Sequence, residues 1–430
     1  KMAEEKGRDV PKQWCWSKLK EKSGPELTEF YQDLLRNLGK EKGILGEIFA
    51  GALSRFNNPV SLKKLIQLID EIEWSALGVD VKAEAYEGLL EKAASEGKKG
   101  AGQFFTPRVL IKSIVRIMKP NPLKDKDFSA HDPAAGTGGF LIEAYEWLME
   151  QTKGGAIPRE ELERIRNNTY SGTELVERPR RLALMNLYLH GLLDGIALGD
   201  SIYEPVQGKR YSCVLTNPPF GTKGANQAPE REDFTIETSN KQLNFLQHIV
   251  TILKSHGRAA VVLPDNVLFE EHAAAQVIKN LMEDCNLHTI LRLPHGTFAP
   301  YSQGVKANVL FFTKGVKTEN VWIYDCRTNI EGVTKKDRPL TPEMFVDFEK
   351  CFGSDPNGLS KRTETERFKS FSRKQIEDRK YNLDIFWIKD NSLEEGTTET
   401  PEEIIQDIRD RQEKISEYLD EIEKVLTNGN

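Results

Sequence analysis

Asp132-Pro133-Ala134-Ala135-Gly136-Thr137-Gly138-Gly139-Phe140 follows a short apolar segment near 128–132 and leads into an apolar-periodic one over 138–150. That order predicts strand, glycine turn, helix. Gly136, Gly138 and Gly139 leave room for backbone to turn against a ligand, and the start of the helix favours a carboxylate or phosphate. Taken alone the signal is weak, since about half of such turns are only tight connections. No Gly-Lys-Ser/Thr sequence ends it, so a triphosphate-binding loop is not indicated.

Working outward, the same rhythm continues. Apolar strand candidates lie near 128–132, 169–173, 196–199, 212–216, 258–263, 288–293 and 308–313, and helical patterns fall at 108–118, 138–150, 178–191, 241–254 and 273–283. Alternation of this kind predicts an α/β fold, a doubly wound, largely parallel sheet whose ligands sit beyond the carboxyl ends of its strands. Three of the first strands end in acids. Asp132 closes the first. Glu174, in Ser171-Gly172-Thr173-Glu174-Leu175, closes the second and is placed to hold ribose hydroxyls. It lies further along than the usual ~20 residues, which predicts an intervening loop near 151–168. Asp200, in Leu198-Gly199-Asp200-Ser201, follows the third and suits an adenine amino group. In order, these acids describe an adenosine pocket.

Two further motifs flank this one. Asn217-Pro218-Pro219-Phe220 follows the strand Cys213-Val214-Leu215-Thr216. Two prolines lack amide donors and fix the backbone, so neighbouring carbonyls point outward. An Asn217 oxygen and one such carbonyl can together accept both hydrogens of a planar NH₂ group. Phe220 offers a ring for stacking a base, worth roughly 1–3 kcal/mol. A bare Pro-Pro turn with an aromatic plug explains the tetrapeptide alone, but not its position at a strand end downstream of an adenosine pocket. The second motif, Gly102-Gln103-Phe104-Phe105-Thr106-Pro107-Arg108, reads as a helix start with Thr106 as cap and Pro107 in the first turn.

These motifs, with Thr238-Ser239-Asn240-Lys241-Gln242-Leu243-Asn244-Phe245, resemble the amino-methylating DNA methyltransferases, and most closely the modification subunit of type I restriction–modification systems. The resemblance covers roughly residues 80 to 390. It implies a Rossmann-like domain that takes methyl from S-adenosyl-L-methionine to adenine N6 in double-stranded DNA, without a metal. It also implies a separate specificity subunit that reads the sequence, usually with two modification subunits per complex. Whether a restriction (nuclease and translocase) subunit joins stays open. By position, Gln103, Phe104, Phe105, Thr106, Pro107, Arg108, Thr137, Gly138, Gly139 and Glu174 would touch the donor, with Asp132, Gly136 and Asp200 completing its pocket. Asn217, Pro218 and Phe220, with Pro219 bracing them, would hold the flipped base. Family members usually carry a longer helical region before this domain, and the chain starts at Lys1 rather than Met, which predicts a processed or incomplete start.

Composition agrees. The chain has 430 residues, 29% charged and 38% hydrophobic, an ordinary globular profile. No apolar run reaches the ~18–20 residues that cross a bilayer. Five cysteines without a CxxC pair argue against a disulfide framework or zinc site and for a reducing cytoplasm. The net charge is −6, from 60 basic and 66 acidic residues, unlike a stand-alone DNA binder. A local exception is 97–119, where Lys98, Lys99, Arg108, Lys112, Arg116 and Lys119 occur without an acid. The organisation predicted is a helical domain over 1–96, a catalytic domain over 97–390 and a linker with a partner-docking helix over 391–430. In the first, Ser61 is the expected cap of a helix bearing Leu62, Leu65, Ile66, Ile69 and Ile72, and a second helix holds Tyr86, Leu89 and Leu90. In the last, Ile404, Ile408, Arg411, Ile415, Tyr418, Ile422 and Val425 alternate in steps of four and three, a coiled-coil seam.

Other readings share these residues. Methylation of a protein glutamine amide uses the same Asn-Pro-Pro-aromatic motif, because that acceptor is also a planar NH₂. The basic stretch, Phe at 220 and the C-terminal seam favour DNA. A donor-binding scaffold without activity is disfavoured by the intact Asn217–Phe220, and cytosine N4 by Asn rather than Ser at 217.

Overall fold

The computed structural model describes residues 1–5, 10–74, 106–152, 157–193, 195–206, 208–220, 227–298, 304–334 and 337–390. Lys1–Phe386 form one compact unit and Trp387–Asn430 a second. Gln103, Phe104 and Phe105, the expected helix around Tyr86 and the seam from Ile404 to Val425 lie outside the described residues.

The chain begins with short helices: α1 (Met2–Glu5), α2 (Trp16–Glu21), α3 (Gly24–Leu38), α4 (Ile44–Phe49) and α5 (Pro59–Asp70). Leu27, Leu34, Leu35 and Leu38 line one side of α3 and pack with Leu19, Leu62 and Ile66. The cap of α5 differs from expectation. Asn58, not Ser61, ends the extended chain, and its side chain accepts from the Val60 amide at 2.8 Å. Pro59 explains the shift: its fixed φ and missing N–H suit a first helical position, which leaves Asn58 as cap and Ser61 inside the first turn. Leu62 and Ile66 are buried as predicted, whereas Leu65 and Ile72 stay partly exposed.

Nine strands then build one sheet: β1 (Ala130–Asp132), β2 (Tyr170–Glu174), β3 (Ile196–Leu198), β4 (Tyr211–Thr216), β5 (Leu253–Pro264), β6 (Cys285–Arg292), β7 (Ala307–Lys314), β8 (Asn320–Asp325) and β9 (Phe368–Ser372). Their order is β3-β2-β1-β4-β5-β7-β6-β8-β9. β7 runs antiparallel to both β5 and β6, and β9 antiparallel to β8; the other pairings are parallel. All seven expected strands are present, and β8 and β9 extend the sheet beyond them. The helices are α6 (Arg108–Met118), α7 (Gly139–Gln151), α8 (Arg159–Asn168), α9 (Glu177–His190), α10 (Lys241–Ile252), α11 (Asn266–Phe269), α12 (Ala273–Asp284), α13 (Glu343–Phe352) and α14 (Arg373–Asp378). The loop expected between α7 and β2 is in large part the helix α8. Its amphipathic charge-rich sequence buries only Ile165, too thin a stripe to stand out by period.

From β1 the chain steps one way to β2 and β3 and the other way to β4 and β5. Right-handed crossovers therefore place α7 and α9 on one face and α10 on the other. The central strands are apolar on both sides: Val261, Val262, Leu263, Val309, Leu310, Phe311 and Phe312 are fully buried. The reversal between β1 and β4 opens a crevice at their carboxyl ends.

Candidate active site

The first wall of that crevice is the turn after β1. Gly136 has φ +53° and Gly138 φ +81°, the left-handed region that favours glycine. A Cβ on Gly138 would stand 2.8 Å from Leu187 Cδ1, so this glycine also lets α9 approach. A Cβ on Gly136 would meet nothing within 4 Å: its open side is the cradle. Asp132 is 1% exposed, and its Oδ1 accepts from the Ala134 amide at 3.0 Å. Burial, with the Glu174 charge adding in the same direction, pushes its carboxyl up to about 7.

Glu174 does more than close β2. Its two oxygens accept from the Gly136 and Val176 amides, each at 2.9 Å, so the carboxylate braces the glycine turn. Burial raises its pKa against the backbone bonds that lower it. Asp200 Oδ1 accepts from the Ile202 and Tyr203 amides at 2.9 and 3.1 Å, capping a tight turn. Ser201 Oγ donates to the Pro133 carbonyl at 2.6 Å and Asn186 to the Thr137 carbonyl at 3.1 Å, tying this turn and α9 to the glycine loop. Arg231, 8% exposed, gathers the carbonyls of Ser201, Ile202 and Glu204 at 2.8–3.2 Å and pairs with Asp233. The sequence reading missed Ser201, Asn186 and Arg231.

The facing wall is Asn217-Pro218-Pro219-Phe220 after β4. Asn217 Nδ2 donates to Thr106 Oγ1 at 2.8 Å, and Asn217 Oδ1 is buried with no hydrogen-bond partner among the described residues. Thr106 is thus not the helix cap expected of it. Helix α6 starts at Arg108 after Pro107, whose extended ψ of 134° carries Thr106 away from the first turn, and no side chain caps it. Gln242, on α10, donates from Nε2 to the Pro219 carbonyl at 3.3 Å; it is 2% exposed and its Oε1 is buried without a partner. Phe220 is buried rather than open, its ring edge-to-face with Phe298 at 5.4 Å. Gln242 and Phe298 were not singled out from sequence, although Gln242 lies in the quoted 238–245 stretch.

The basic run 97–119 is only partly available as a charged surface. Arg116 pairs with Glu349, and Lys119 donates to the Ser354 carbonyl. No helix of the described residues is long and apolar enough to cross a membrane.

An acid-ended strand pair, a glycine cradle and an Asn-Pro-Pro-Phe loop thus meet at the switch point of one sheet. The family model for N-6 DNA methylases matches residues 78–395. The chain belongs to the N-6 DNA methylase family. It is 40% identical over 442 aligned positions to the methylase subunit of the type I restriction enzyme EcoKI of Escherichia coli K12, covering 91% of this chain and 82% of that one. The crystal structure of the EcoKI M protein superposes with a TM-score of 0.63 at 34% identity, over 99% of this chain and 89% of that one. A modification subunit of a putative type I restriction enzyme from Vibrio vulnificus YJ016 gives a TM-score of 0.70 at 27% identity, over 87% and 83%. This N-6 DNA methylase is thus of the type I methylase-subunit kind, a methyltransferase whose family acts on adenine N6.

Proposed function

We propose that this methylase subunit carries methyl from S-adenosylmethionine to N6 of an adenine turned out of duplex DNA, inside a complex whose specificity subunit reads the site. The observation that carries the proposal is the Asn217 oxygen, buried at the carboxyl end of β4 with no hydrogen-bond partner among the described residues. A buried acceptor left unpaired is costly and calls for a ligand that donates. The adenine amino group is such a donor.

The pocket residues fit the donor. Gly136 gives an open backbone cradle, and α7 starts immediately behind Gly138, a fit for a carboxylate. Thr137, Gly138 and Gly139, with Gln103 to Arg108, would hold the amino-acid end. Glu174 and Asp200 would take the ribose and adenine through the lone pairs their backbone bonds leave, with Asp132 beneath the turn. Bound there, the donor would supply a methyl group made electrophilic by a positively charged sulfur.

On the acceptor side, Asn217 Oδ1 and the Pro218 carbonyl would accept the two amino hydrogens. Pro219's carbonyl is engaged by Gln242 and so is not the one assigned this role. Two acceptors in one plane rotate the nitrogen lone pair out of the ring, toward the methyl group. Stacking on Phe220 would require its buried ring, packed on Phe298 here, to open a face to the base, and would then offset part of the few kcal/mol that unstacking costs. The residues act by position and dipole, and the rate gain comes from orientation.

The net charge of −6 and the engagement of Arg116 and Lys119 by their own fold support a duplex gripped chiefly by partner subunits. The cytoplasm, where host DNA lies, is the compartment this reading requires. Asn217→Ala tests the assignment. We expect methyl transfer by the assembled complex to fall to background while donor affinity, read by calorimetry, stays near wild type. Normal turnover in the variant would sink it.

A further inference from the structure

Two buried amide oxygens without a hydrogen-bond partner among the described residues flank the end of β4: Asn217 Oδ1 and, from α10, Gln242 Oε1. Each costs folding free energy, because an unpaired buried acceptor loses its water and gains nothing in return. In the two amides the nitrogen end is nevertheless anchored. Asn217 Nδ2 is held by Thr106 Oγ1 at 2.8 Å, and Gln242 Nε2 holds the Pro219 carbonyl at 3.3 Å. Thr106 comes from the segment entering α6 and Gln242 from the first turn of α10, so the Asn217–Phe220 loop is gripped from two elements that do not contain it.

We infer that Thr106 and Gln242 are positioning residues for methyl transfer: one fixes the amide plane of Asn217, the other the carbonyl of Pro219. The inference rests on the reading of Asn217 as the acceptor-binding residue. Prolines at 218 and 219 supply no amide protons, so those two residues cannot be held through N–H groups of their own. Its carbonyl directions must be set from outside. Thr106 does this for the side-chain oxygen, since an amide whose nitrogen is tied down presents its oxygen at a fixed angle. Gln242 does it for the backbone: with Pro219's carbonyl drawn toward α10, the preceding peptide is held in one orientation. Neither residue need touch a substrate to do so. Gln242 is 2% exposed, and an apolar side chain of its size would fill the same space without an orphaned oxygen. That it is an amide is unexplained by packing and explained by the loop it grips.

The test uses the full chain assembled with its specificity subunit, with Asn217→Ala as control. Thr106→Val keeps the shape and removes the hydroxyl; Thr106→Ser restores it. Gln242→Leu keeps most of the volume and removes the amide. We expect kcat to fall roughly 10- to 100-fold in Thr106→Val and Gln242→Leu, the scale of a small misplacement of reacting groups. In Gln242→Leu donor affinity should stay within about threefold, the mark of a loss confined to the transition state. Thr106→Ser should recover most of the rate. Gln242→Leu should unfold at the same temperature as wild type or higher, since it deletes a buried unpaired oxygen. Unchanged kcat in both variants overturns the inference. So does a rate loss that tracks a lowered unfolding temperature, or one in Thr106→Val wholly accounted for by weaker donor binding. If Asn217→Ala itself retains turnover, the underlying reading fails first, and the control reports that separately.

Discussion

Asp132 illustrates how single residues here give up stability for a site. Its carboxyl, fully buried at the end of β1, is pushed up to about 7 from an ordinary 3.8. Between those values the folded protein holds a proton that the unfolded chain has lost. Stability therefore falls as pH rises through that window and levels off above it. Asn in its place stays neutral at every pH and keeps the oxygen that accepts from Ala134. Asp132→Asn should thus be more stable than wild type at pH 8 by on the order of a few kcal/mol, at about 1.4 kcal/mol per pKa unit, and unfold at a higher temperature. The difference should shrink toward pH 4. Thermal unfolding of both proteins across that range checks it, and a constant difference would assign the effect to packing. Asp132, the glycine turn and Asn217 were legible in sequence because each sits at a strand end that local pattern marks. Thr106's true partner was not: it lies 111 residues away, and a Thr before a proline reads locally as a cap. Gln242 and Phe298 were hidden for the same reason, since their contacts are made only by the fold.

Among the elements, α5 offers the cleanest local test. Asn58 supplies its one side-chain cap, through the bond to Val60. Asn58→Ala should cost about 1 kcal/mol, the usual worth of such a cap, whereas Ser61→Ala should cost little. Denaturant unfolding of the two variants separates them; equal effects would return the cap to Ser61. Strand legibility followed the alternation with helices more than burial. β3 buries one of its three residues and β2 is Tyr-Ser-Gly-Thr-Glu, yet both stand out between helical periods. β9, Phe368–Ser372, buries one residue fully and leaves four half-exposed, so nothing in Phe-Lys-Ser-Phe-Ser announces it. It is held at the sheet edge by tertiary contacts such as Trp322 stacked on Phe368 at 4.8 Å. β8 reads well enough alone, but no helix separates it from β7, and the strand–helix alternation that guided the reading had ended.

At the scale of the molecule, the chain divides at Phe386, with Lys1–Phe386 compact by itself. The acid-rich stretch beyond has the four-three apolar spacing from Ile404 to Val425, and a helix formed on that spacing would be marginal in water by itself. Deleting 401–430 should leave a folded, donor-binding protein that no longer captures the specificity subunit; capture at wild-type strength would exclude that segment as the docking element. The sheet itself has a consequence for how the chain is made. Strand β7 lies between β5 and β6 yet follows both in sequence. A nascent chain leaving the ribosome therefore presents one edge of β5 and both edges of β6 unpaired until Ala307–Lys314 has emerged. The glycine cradle and Asn217 are all synthesised before that moment, but the sheet that supports them closes only afterwards. Stalled or prematurely released chains ending short of β7 are the species of this protein most prone to edge-to-edge aggregation, and the ones for which chaperone capture matters most.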